Sequence, residues 1–401
     1  MLHFIDQTSE DKHHMVFNAS MISILLSLYP DQMLTAYGIA SNHVSIYSLL
    51  TAAEKKRVVF STIEYTKPAR NGLFYKALNY IKKEKTRMRQ MDSIVTGAAA
   101  EDLIFYSVSS FYCFYYFKKI KTKYPVPVIA TLHGGIDYFY NPQSYMERIN
   151  AWYHKRMFKL DAPNFKYLLL NKIAKSKLVK DGYLKAGEVM EIEHPYPNLG
   201  AVQTFVPLTQ TPLTIAHLGS MEAQRKHSHY LYDLAARSAA SIQGGKLKFQ
   251  IIGLKNASVK NWENEWVEEV VGKATSYLER SVYEQAVKSI HYSIFFFPVN
   301  EYICRASGAT VDTLVFEKPV FTLYHPYFEY LFKVAGNVGY MVNTLDEMKA
   351  IINQIIADPG RYEAEYRLQC DNLKQFKNKL TVESVAEDLR SQMNTLSNSM
   401  N

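Results

Sequence analysis

The sequence predicts an α/β protein made of two Rossmann-like domains, each with a parallel sheet covered by helices. Three observations lead to this prediction. Short apolar runs alternate with helix-length segments along the 401 residues. The stretch Ser289–Thr322 has the order strand, loop, helix, strand. A segment rich in Pro, Gly and Thr at 193–212 separates two halves, each large enough for its own core.

The elements follow from hydrophobic periodicity, since near-continuous apolar runs indicate strands buried on both faces and a 3.6-residue period indicates helices. In the first half we expect strands at 1–6, 33–37, 57–62, 103–110, 127–135 and 166–171, and helices at 13–29, 71–91, 111–123 and 146–159. In the second half we expect strands at 213–220, 247–254, 275–280, 292–298, from 320 and 339–343, and helices at 228–242, 281–289, 307–316 and 344–357, before a polar helical tail.

The stretch Ser289–Thr322 contains the clearest candidate site. Tyr292–Pro298 is the strand, and Ser307 is placed to cap the helix that follows a polar loop carrying Arg305. Ser307, Gly308 and Ala309 therefore present free backbone N–H groups just beyond the carboxyl end of a strand, which suits a phosphate. Gly308 lets an anion approach the backbone closely.

This stretch, "YICRASGATVD" followed by "VFEKPVF", resembles the nucleotide-sugar site of glycosyltransferases with the GT-B architecture, as in a divergent relative of glycosyltransferase family 4. The family's two glutamates correspond to Cys304 and Asp312 here, so one carboxylate is absent and the other is shortened. The resemblance implies two Rossmann-like domains facing across a cleft. These are an acceptor domain at 1–200, a donor domain at 206–377, and a C-terminal helix at 378–401 that crosses back to the first domain.

The donor site that the resemblance implies also uses "HLGSMEAQRKH", where a small-residue turn precedes basic residues that neutralise the leaving diphosphate. In "SYLER", the resemblance implies that backbone groups of Leu278 contact the edge of the nucleotide base, or that the Glu279 carboxylate holds the ribose. The predicted donor residues are Gly219, Ser220, Arg225, Lys226, Gly253, Leu278, Glu279, Arg305, Ser307, Gly308, Ala309 and Asp312. Simpler interpretations are a solvated basic pair at 225–226 and a surface ion pair between Arg305 and Glu301.

The acceptor and the catalytic base are expected in the first half. "TLHGGID" at 131–137 follows a strand, and His133 or Asp137 could accept a proton there. Gly134 and Gly135 permit close approach of an acceptor. "EDKHH" at 10–14 follows the first strand and offers Asp11 as a third candidate base and His14 as an acceptor contact. Lone histidines are more often structural.

Charge is uneven, because residues 1–200 hold 26 Lys and Arg against 17 Asp and Glu, whereas residues 201–401 hold 20 against 21. Basic clusters beside aromatics, as in "FYCFYYFKKIKTKYP" at 111–125, suit an anionic membrane surface, although lysine-rich helix surfaces are common. Basic–aromatic stacking repeats are lacking, so nucleic acid is not an expected partner. Three scattered cysteines, no signal peptide and no long apolar segment predict a cytoplasmic protein, peripheral at most on the inner face of the membrane.

The sequence therefore predicts a hexosyltransferase-like enzyme that moves a sugar from a nucleoside-diphosphate donor to a glycan or lipid-linked acceptor, in bacterial surface polysaccharide synthesis. With no Asp-x-Asp motif and no metal-ligand cluster, we expect no metal and no cofactor. Two alternatives stay open: a nucleotide-sugar epimerase on the same architecture, and a noncatalytic basic protein that binds membranes. The sugar, the base and the stereochemistry stay open as well.

Overall fold

The computed structural model describes residues 1–65, 73–108, 110–197, 205–270 and 278–398. The chain divides into two compact units. Unit 1 comprises Met1–Asn198 together with Leu380–Asn401, and unit 2 comprises Leu199–Lys379. Within the described residues, no helix is both long enough and apolar enough to cross a bilayer.

Unit 1 contains a seven-stranded sheet in which every pairing is parallel. Its strands are β1 (Leu2–Asp6), β2 (Leu34–Gly38), β3 (Val58–Thr62), β4 (Leu103–Val108), β5 (Val128–Thr131), β6 (Phe165–Leu169) and β7 (Val189–Glu191). The strand order is β3-β2-β1-β4-β5-β6-β7. The order of connection therefore reverses between β1 and β4, and ligands of open parallel sheets bind at such a point.

Helices cover this sheet: α1 (Met15–Leu28), α2 (Ala40–Leu49), α3 (Ala52–Lys55), α4 (Leu73–Gly97), α5 (Phe111–Lys121), α6 (Tyr145–Phe158), α7 (Ala174–Lys180) and, from the far end of the chain, α16 (Val382–Asn398). Side-chain caps fix several starts, as where Ser110 accepts from the Cys113 N–H at 3.2 Å. Helix α16 packs on α1, and Lys172 pairs with Asp388 at 2.6 Å.

Unit 2 contains a six-stranded sheet that is also parallel throughout. Its strands are β8 (Leu213–Leu218), β9 (Leu247–Ile252), β10 (Val267–Glu269), β11 (Tyr292–Phe295), β12 (Val320–Leu323) and β13 (Gly339–Val342). The order β10-β9-β8-β11-β12-β13 reverses between β8 and β11. These two sheets confirm the predicted fold class of two Rossmann-like domains.

The helices of unit 2 are α8 (Ala223–Lys226), α9 (Tyr230–Arg237), α10 (Ala239–Gln243), α11 (Arg280–Lys288), α12 (Gly308–Val315), α13 (Pro326–Ala335), α14 (Leu345–Ala357) and α15 (Pro359–Lys377). The single helix predicted at 228–242 is two helices, since Ser238 leaves helical geometry and stands at the N-cap position of the second without a side-chain capping hydrogen bond. The strand predicted at 275–280 falls partly outside the described residues. Leu278 and Glu279 are not in a strand, and Arg280 begins α11.

The structure changes the interpretation of the basic segment at 118–123. Lys118 and Lys121 are buried, with the Lys118 ammonium donating to the Tyr167 hydroxyl at 2.8 Å and the Lys121 ammonium to the Pro163 carbonyl at 2.6 Å. Burial lowers the pKa of each of these lysines to about 8. These two side chains pack inside unit 1, so the expectation that they form a membrane-facing basic surface is wrong.

Candidate functional site

Several of the predicted donor residues gather at the point where the strand order of unit 2 reverses. Strand β8 leads into Gly219 and Ser220, and its neighbour β11 leads into the loop that ends at Ser307. The two segments touch, because a Cβ added to Gly219 would lie 3.0 Å from the Ala309 Cβ. Parallel sheets bind ligands at this kind of position.

Two arginines pair with one buried carboxylate in this region, and a lysine lies beside them. Glu301, whose side chain is only 1% exposed, accepts from Arg225 Nη1 at 2.7 Å and from Arg305 Nη2 at 3.2 Å. Arg305 and Lys226 also share a neighbour, since the Tyr302 ring centroid lies 4.1 Å from the Arg305 guanidinium and 5.9 Å from the Lys226 ammonium. The ion pair of Arg305 with Glu301 is thus partly buried, whereas the simpler interpretation placed it at the surface.

Lys226 is the third cation. Its ammonium donates to the Ser220 carbonyl at 2.8 Å and to the Ser220 hydroxyl at 2.9 Å. Burial, rather than any neighbour, is the largest reason that the pKa of Lys226 falls to about 8, and the positive charge of Arg305 lowers it further. A group of cations with an excess of positive charge is electrostatically suited to an anionic ligand.

The helix start predicted as a phosphate site is present. Helix α12 begins at Gly308, and Ser307 precedes it as the N-cap in an extended conformation, without a side-chain capping hydrogen bond. A Cβ added to Gly308 would meet no atom within 4 Å, and Gly308 is exposed. The space above this glycine is therefore open, as an approaching phosphate requires.

Other predicted donor residues have different surroundings. Gly253 packs on the backbone of Gly219, where a Cβ would lie 2.1 Å from the Gly219 carbonyl oxygen, so close packing alone requires glycine there. Asp312 accepts from the Tyr283 hydroxyl at 2.9 Å, beside Arg280. Glu279 is exposed at the N-cap of α11, and Leu278 is half-buried.

The predicted residues of unit 1 form a second group, at the carboxyl ends of β1 and β5. His133 follows β5, and its ring centroid lies 4.2 Å from that of His14, which follows β1. His13 stacks edge-on with His14 at 3.9 Å. Phe17 contacts both His133 and His194, with ring centroids 5.0 and 5.3 Å apart. Four histidines therefore form a chain of ring contacts, in which Phe17 lies between His133 and His194.

These histidines are neutral at pH 7. Burial lowers the pKa of His133 to about 3 and that of His194 to about 4, and it holds the pKa of His14 well below its usual value. The charges of neighbouring histidines lower the pKa of His133 and His14 further. The Nδ1 atom of His133 is buried without a hydrogen-bond partner among the described residues. A neutral imidazole has a free lone pair that can accept a proton.

The remaining candidates of unit 1 differ in burial. Asp137 is buried in a short 3-10 turn at Ile136–Phe139, whereas the Asp11 side chain is exposed. Gly134 has a left-handed φ of 59° with nothing within 4 Å of an added Cβ, so it leaves room for a ligand. Gly135 instead packs on the Asn150 side chain.

Sequence reasoning missed several members of both groups. The sequence suggests only a surface pairing of Glu301 with Arg305, whereas Glu301 is buried and also accepts from Arg225, which lies 76 residues away. His194 comes from the predicted linker segment, and His13 was not separated from its neighbours. In the described parts of the chain, no three His, Cys, Asp or Glu side chains are placed to hold a metal ion.

Comparison with known proteins identifies the fold. No protein-family model and no curated protein sequence matches the chain. The structure is similar to the lipopolysaccharide outer core galactosyltransferase WaaB in its apo form (12% identity, 98% of this chain and 99% of that one, TM-score 0.57). It is also similar to WaaG, a glycosyltransferase involved in lipopolysaccharide biosynthesis (9% identity, 97% and 98%, TM-score 0.57).

A third similar structure is the complex of S. aureus MnaA with UDP (11% identity, 99% of this chain and 96% of that one, TM-score 0.53). Identities this low indicate a shared fold rather than a shared activity. The chain therefore has the GT-B fold that its sequence predicts.

Proposed function

On the premise of this GT-B fold, we propose that the protein is a glycosyltransferase that takes a sugar from a nucleoside-diphosphate donor. The single observation that carries the proposal is the group of Arg225, Lys226 and Arg305 beside the open helix start at Gly308. A nucleoside diphosphate fits this arrangement because it brings an anion to fixed cations and to free N–H groups. The MnaA structure, which holds UDP, supports the donor class by similarity of fold.

In the proposed reaction, an acceptor hydroxyl attacks the anomeric carbon of the donor sugar. The bond from that carbon to the diphosphate oxygen breaks, and the nucleoside diphosphate leaves with the bonding electron pair. The cations and the α12 N–H groups stabilise the growing negative charge, so unit 2 supplies most of the electrostatic catalysis without a metal.

Unit 1 binds the acceptor and takes its proton in this proposal. His133 is the favoured base, because it follows the carboxyl end of β5 and its Nδ1 atom has no partner among the described residues. Asp137 and Asp11 stay as alternatives, the first buried and the second exposed. His14 and Gly134 are proposed to contact the acceptor.

The acceptor is proposed to be a glycan or a lipid-linked saccharide. The excess of 26 basic over 17 acidic residues in the first 200 favours an anionic acceptor or one held at an anionic surface. WaaB and WaaG, which share the fold, act in lipopolysaccharide synthesis, and this supports a place in bacterial surface polysaccharide synthesis. A hexose donor and a cytoplasmic location belong to the same proposal.

The test is a thermal-unfolding titration of the full chain with UDP, GDP, ADP and CDP. At a hundred times its dissociation constant, a bound nucleotide stabilises a protein by about 2.7 kcal/mol. Arg305→Ala should weaken the binding about ten- to a hundredfold, since it removes one charge-assisted hydrogen bond. Arg361→Ala is the control, because that arginine is exposed elsewhere in unit 2. If none of the four nucleotides stabilises the wild type, the donor class is wrong.

A further inference from the structure

Helix α4 carries an exposed stripe on the side opposite its packed face. Glu84, Arg87 and Met91 face the interior. At spacings of three or four residues on the other side, the helix exposes Tyr75, Leu78, Lys82, Lys85 and Arg89. Ile81, which is 50% exposed, lies beside this stripe. Along this exposed side of α4, apolar side chains therefore come first and basic side chains follow.

Helix α6 repeats the pattern. Ala151, His154 and Met157 are buried, whereas Tyr145, Arg148, Trp152 and Lys155 are exposed at the same helical spacing. Tyr145 is 78% exposed and Trp152 is 48% exposed, both high for aromatic side chains. The Arg156 guanidinium stacks on Trp152, 4.2 Å from its ring centroid.

Helix α5 packs against both α4 and α6, which places the two stripes on neighbouring helices. Aromatic rings join them: Tyr153 of α6 contacts Tyr112 and Tyr115 of α5 at 5.2 and 5.6 Å, and Tyr80 of α4 is close enough to Tyr153 to interact electrostatically. We call the exposed side chains of these two helices the aromatic–basic face. Its members are Tyr75, Leu78, Ile81, Lys82, Lys85, Arg89, Tyr145, Met146, Arg148, Trp152, Lys155 and Arg156.

The acidic residues of these two helices do not neutralise the face. Glu84 is buried against Arg87 at 2.5 Å, and Asp92 accepts from the Tyr116 hydroxyl at 2.9 Å. Glu147 caps the start of α6. The exposed charge of the aromatic–basic face is therefore positive throughout, interleaved with tyrosine, tryptophan and aliphatic side chains.

We propose that the aromatic–basic face docks the protein on the surface of a bilayer containing anionic lipid. Tryptophan and tyrosine favour the interface between water and lipid, where their apolar rings and polar groups are both satisfied. Lysine and arginine beside them add attraction to anionic head groups. The exposed side chains are spread along two helices rather than gathered in a pocket, which suits an extended planar surface better than a peptide. The inference does not depend on the proposed reaction.

The experiment is sedimentation of the full chain with vesicles, either of pure phosphatidylcholine or of equal parts phosphatidylcholine and phosphatidylglycerol. We expect retention by the anionic vesicles at low salt, little by the neutral ones, and release by 0.5 M NaCl, where the screening length is below about 10 Å. Each basic side chain near the membrane surface increases the affinity for anionic vesicles about fivefold. The triple variant Lys82→Gln/Lys85→Gln/Arg89→Gln should therefore weaken binding roughly 100-fold. Adding Trp152→Ser to this triple variant should weaken vesicle binding further.

Lys246→Gln/Lys260→Gln/Lys374→Gln is the matched control, since it removes three exposed charges from unit 2 and should bind like wild type. All variants change exposed side chains, so circular dichroism and thermal unfolding should match the wild type. The proposal is overturned if the wild type ignores anionic vesicles at low salt, or if the control weakens binding as much as the face variant does. Salt-sensitive binding to duplex DNA without binding to vesicles would overturn it as well.

Discussion

Gly308 is the residue at which the proposed diphosphate site is most sensitive to an added side chain. Gly308→Val should weaken nucleoside-diphosphate binding by at least tenfold, because the branched side chain enters the open space above the helix start. Folding should change little, since Gly308 is exposed and its φ is not left-handed. Isothermal titration with the best-binding nucleotide measures the effect.

Gly187→Val is the control for this substitution, because a Cβ at Gly187 also meets no atom within 4 Å and Gly187 lies in unit 1. If Gly308→Val binds the nucleotide as tightly as Gly187→Val does, the phosphate does not approach the start of α12.

Lys226 gives the site a pH dependence. Its pKa of about 8 means that the ammonium is charged at pH 7 and largely neutral at pH 9.5. Nucleoside-diphosphate affinity should therefore fall about tenfold or more as pH rises through that range, since one charge-assisted contact is lost. Lys226→Arg keeps its charge at both pH values and should give a flat profile. A wild type with a flat profile would show that Lys226 does not contact the anion.

His133 should matter for turnover and not for donor binding. His133→Ala is expected to lower kcat on the order of 100-fold, because it removes the proposed proton acceptor, while the nucleoside-diphosphate dissociation constant stays within about twofold. His154→Ala is a useful comparison, since that histidine is also buried in unit 1 and belongs to α6. Equal turnover of wild type and His133→Ala would direct attention to Asp137 and Asp11.

The residue scale also shows what a sequence can and cannot predict. The helix start at Gly308 and the basic pair at 225–226 could be identified from the sequence because each follows a predicted strand. Residues that follow parallel strands lie at the carboxyl edge of the sheet, so their place in the fold is known. Glu301 and His194 lacked such a signal, because the contacts that bring them into these groups are with residues distant in sequence. Burial of a charged side chain is decided by tertiary packing, which no local pattern encodes.

Among the elements, α16 is the one whose contribution to stability is easiest to isolate. Leu389 is fully buried where α16 packs within unit 1. Leu389→Ala should lower the free energy of unfolding by about 2–5 kcal/mol, since it leaves a cavity in a packed interior. Urea unfolding followed by circular dichroism measures the loss. Glu387→Ala, two residues earlier and exposed, should change it by less than about 0.5 kcal/mol.

The boundaries of helices and strands were predicted from the hydrophobic pattern where that pattern was strong. All six strands predicted for the first half are present within a few residues, because buried parallel strands are near-continuous apolar runs. The short strand β7 and the helices α2, α3 and α7 were not predicted, since their segments lack a clear period. In α5 the basic pattern predicts surface positions for Lys118 and Lys121, yet the Tyr167 hydroxyl and the Pro163 carbonyl accept their hydrogen bonds inside the unit.

For the whole molecule, the division into units makes a prediction about ligand protection. Every proposed donor contact lies in unit 2. Hydrogen exchange should therefore slow on nucleoside-diphosphate binding at 219–226 and 301–310, because bound phosphate oxygens accept from amides there. The amides of β1, β4 and β5 in unit 1 should exchange as in the free protein. Protection confined to unit 1 would place the nucleotide there and contradict the donor assignment.

The contact between α16 and α1 has a consequence for synthesis. Unit 2 is an insertion within unit 1, since the chain leaves unit 1 at Asn198 and returns at Leu380. A ribosome adds about 5–20 residues per second. Unit 2 is thus synthesised in full before the segment that begins at Leu380 is added to complete unit 1. The inserted unit can reach its native state first, and the unit that starts the chain is the last to be completed.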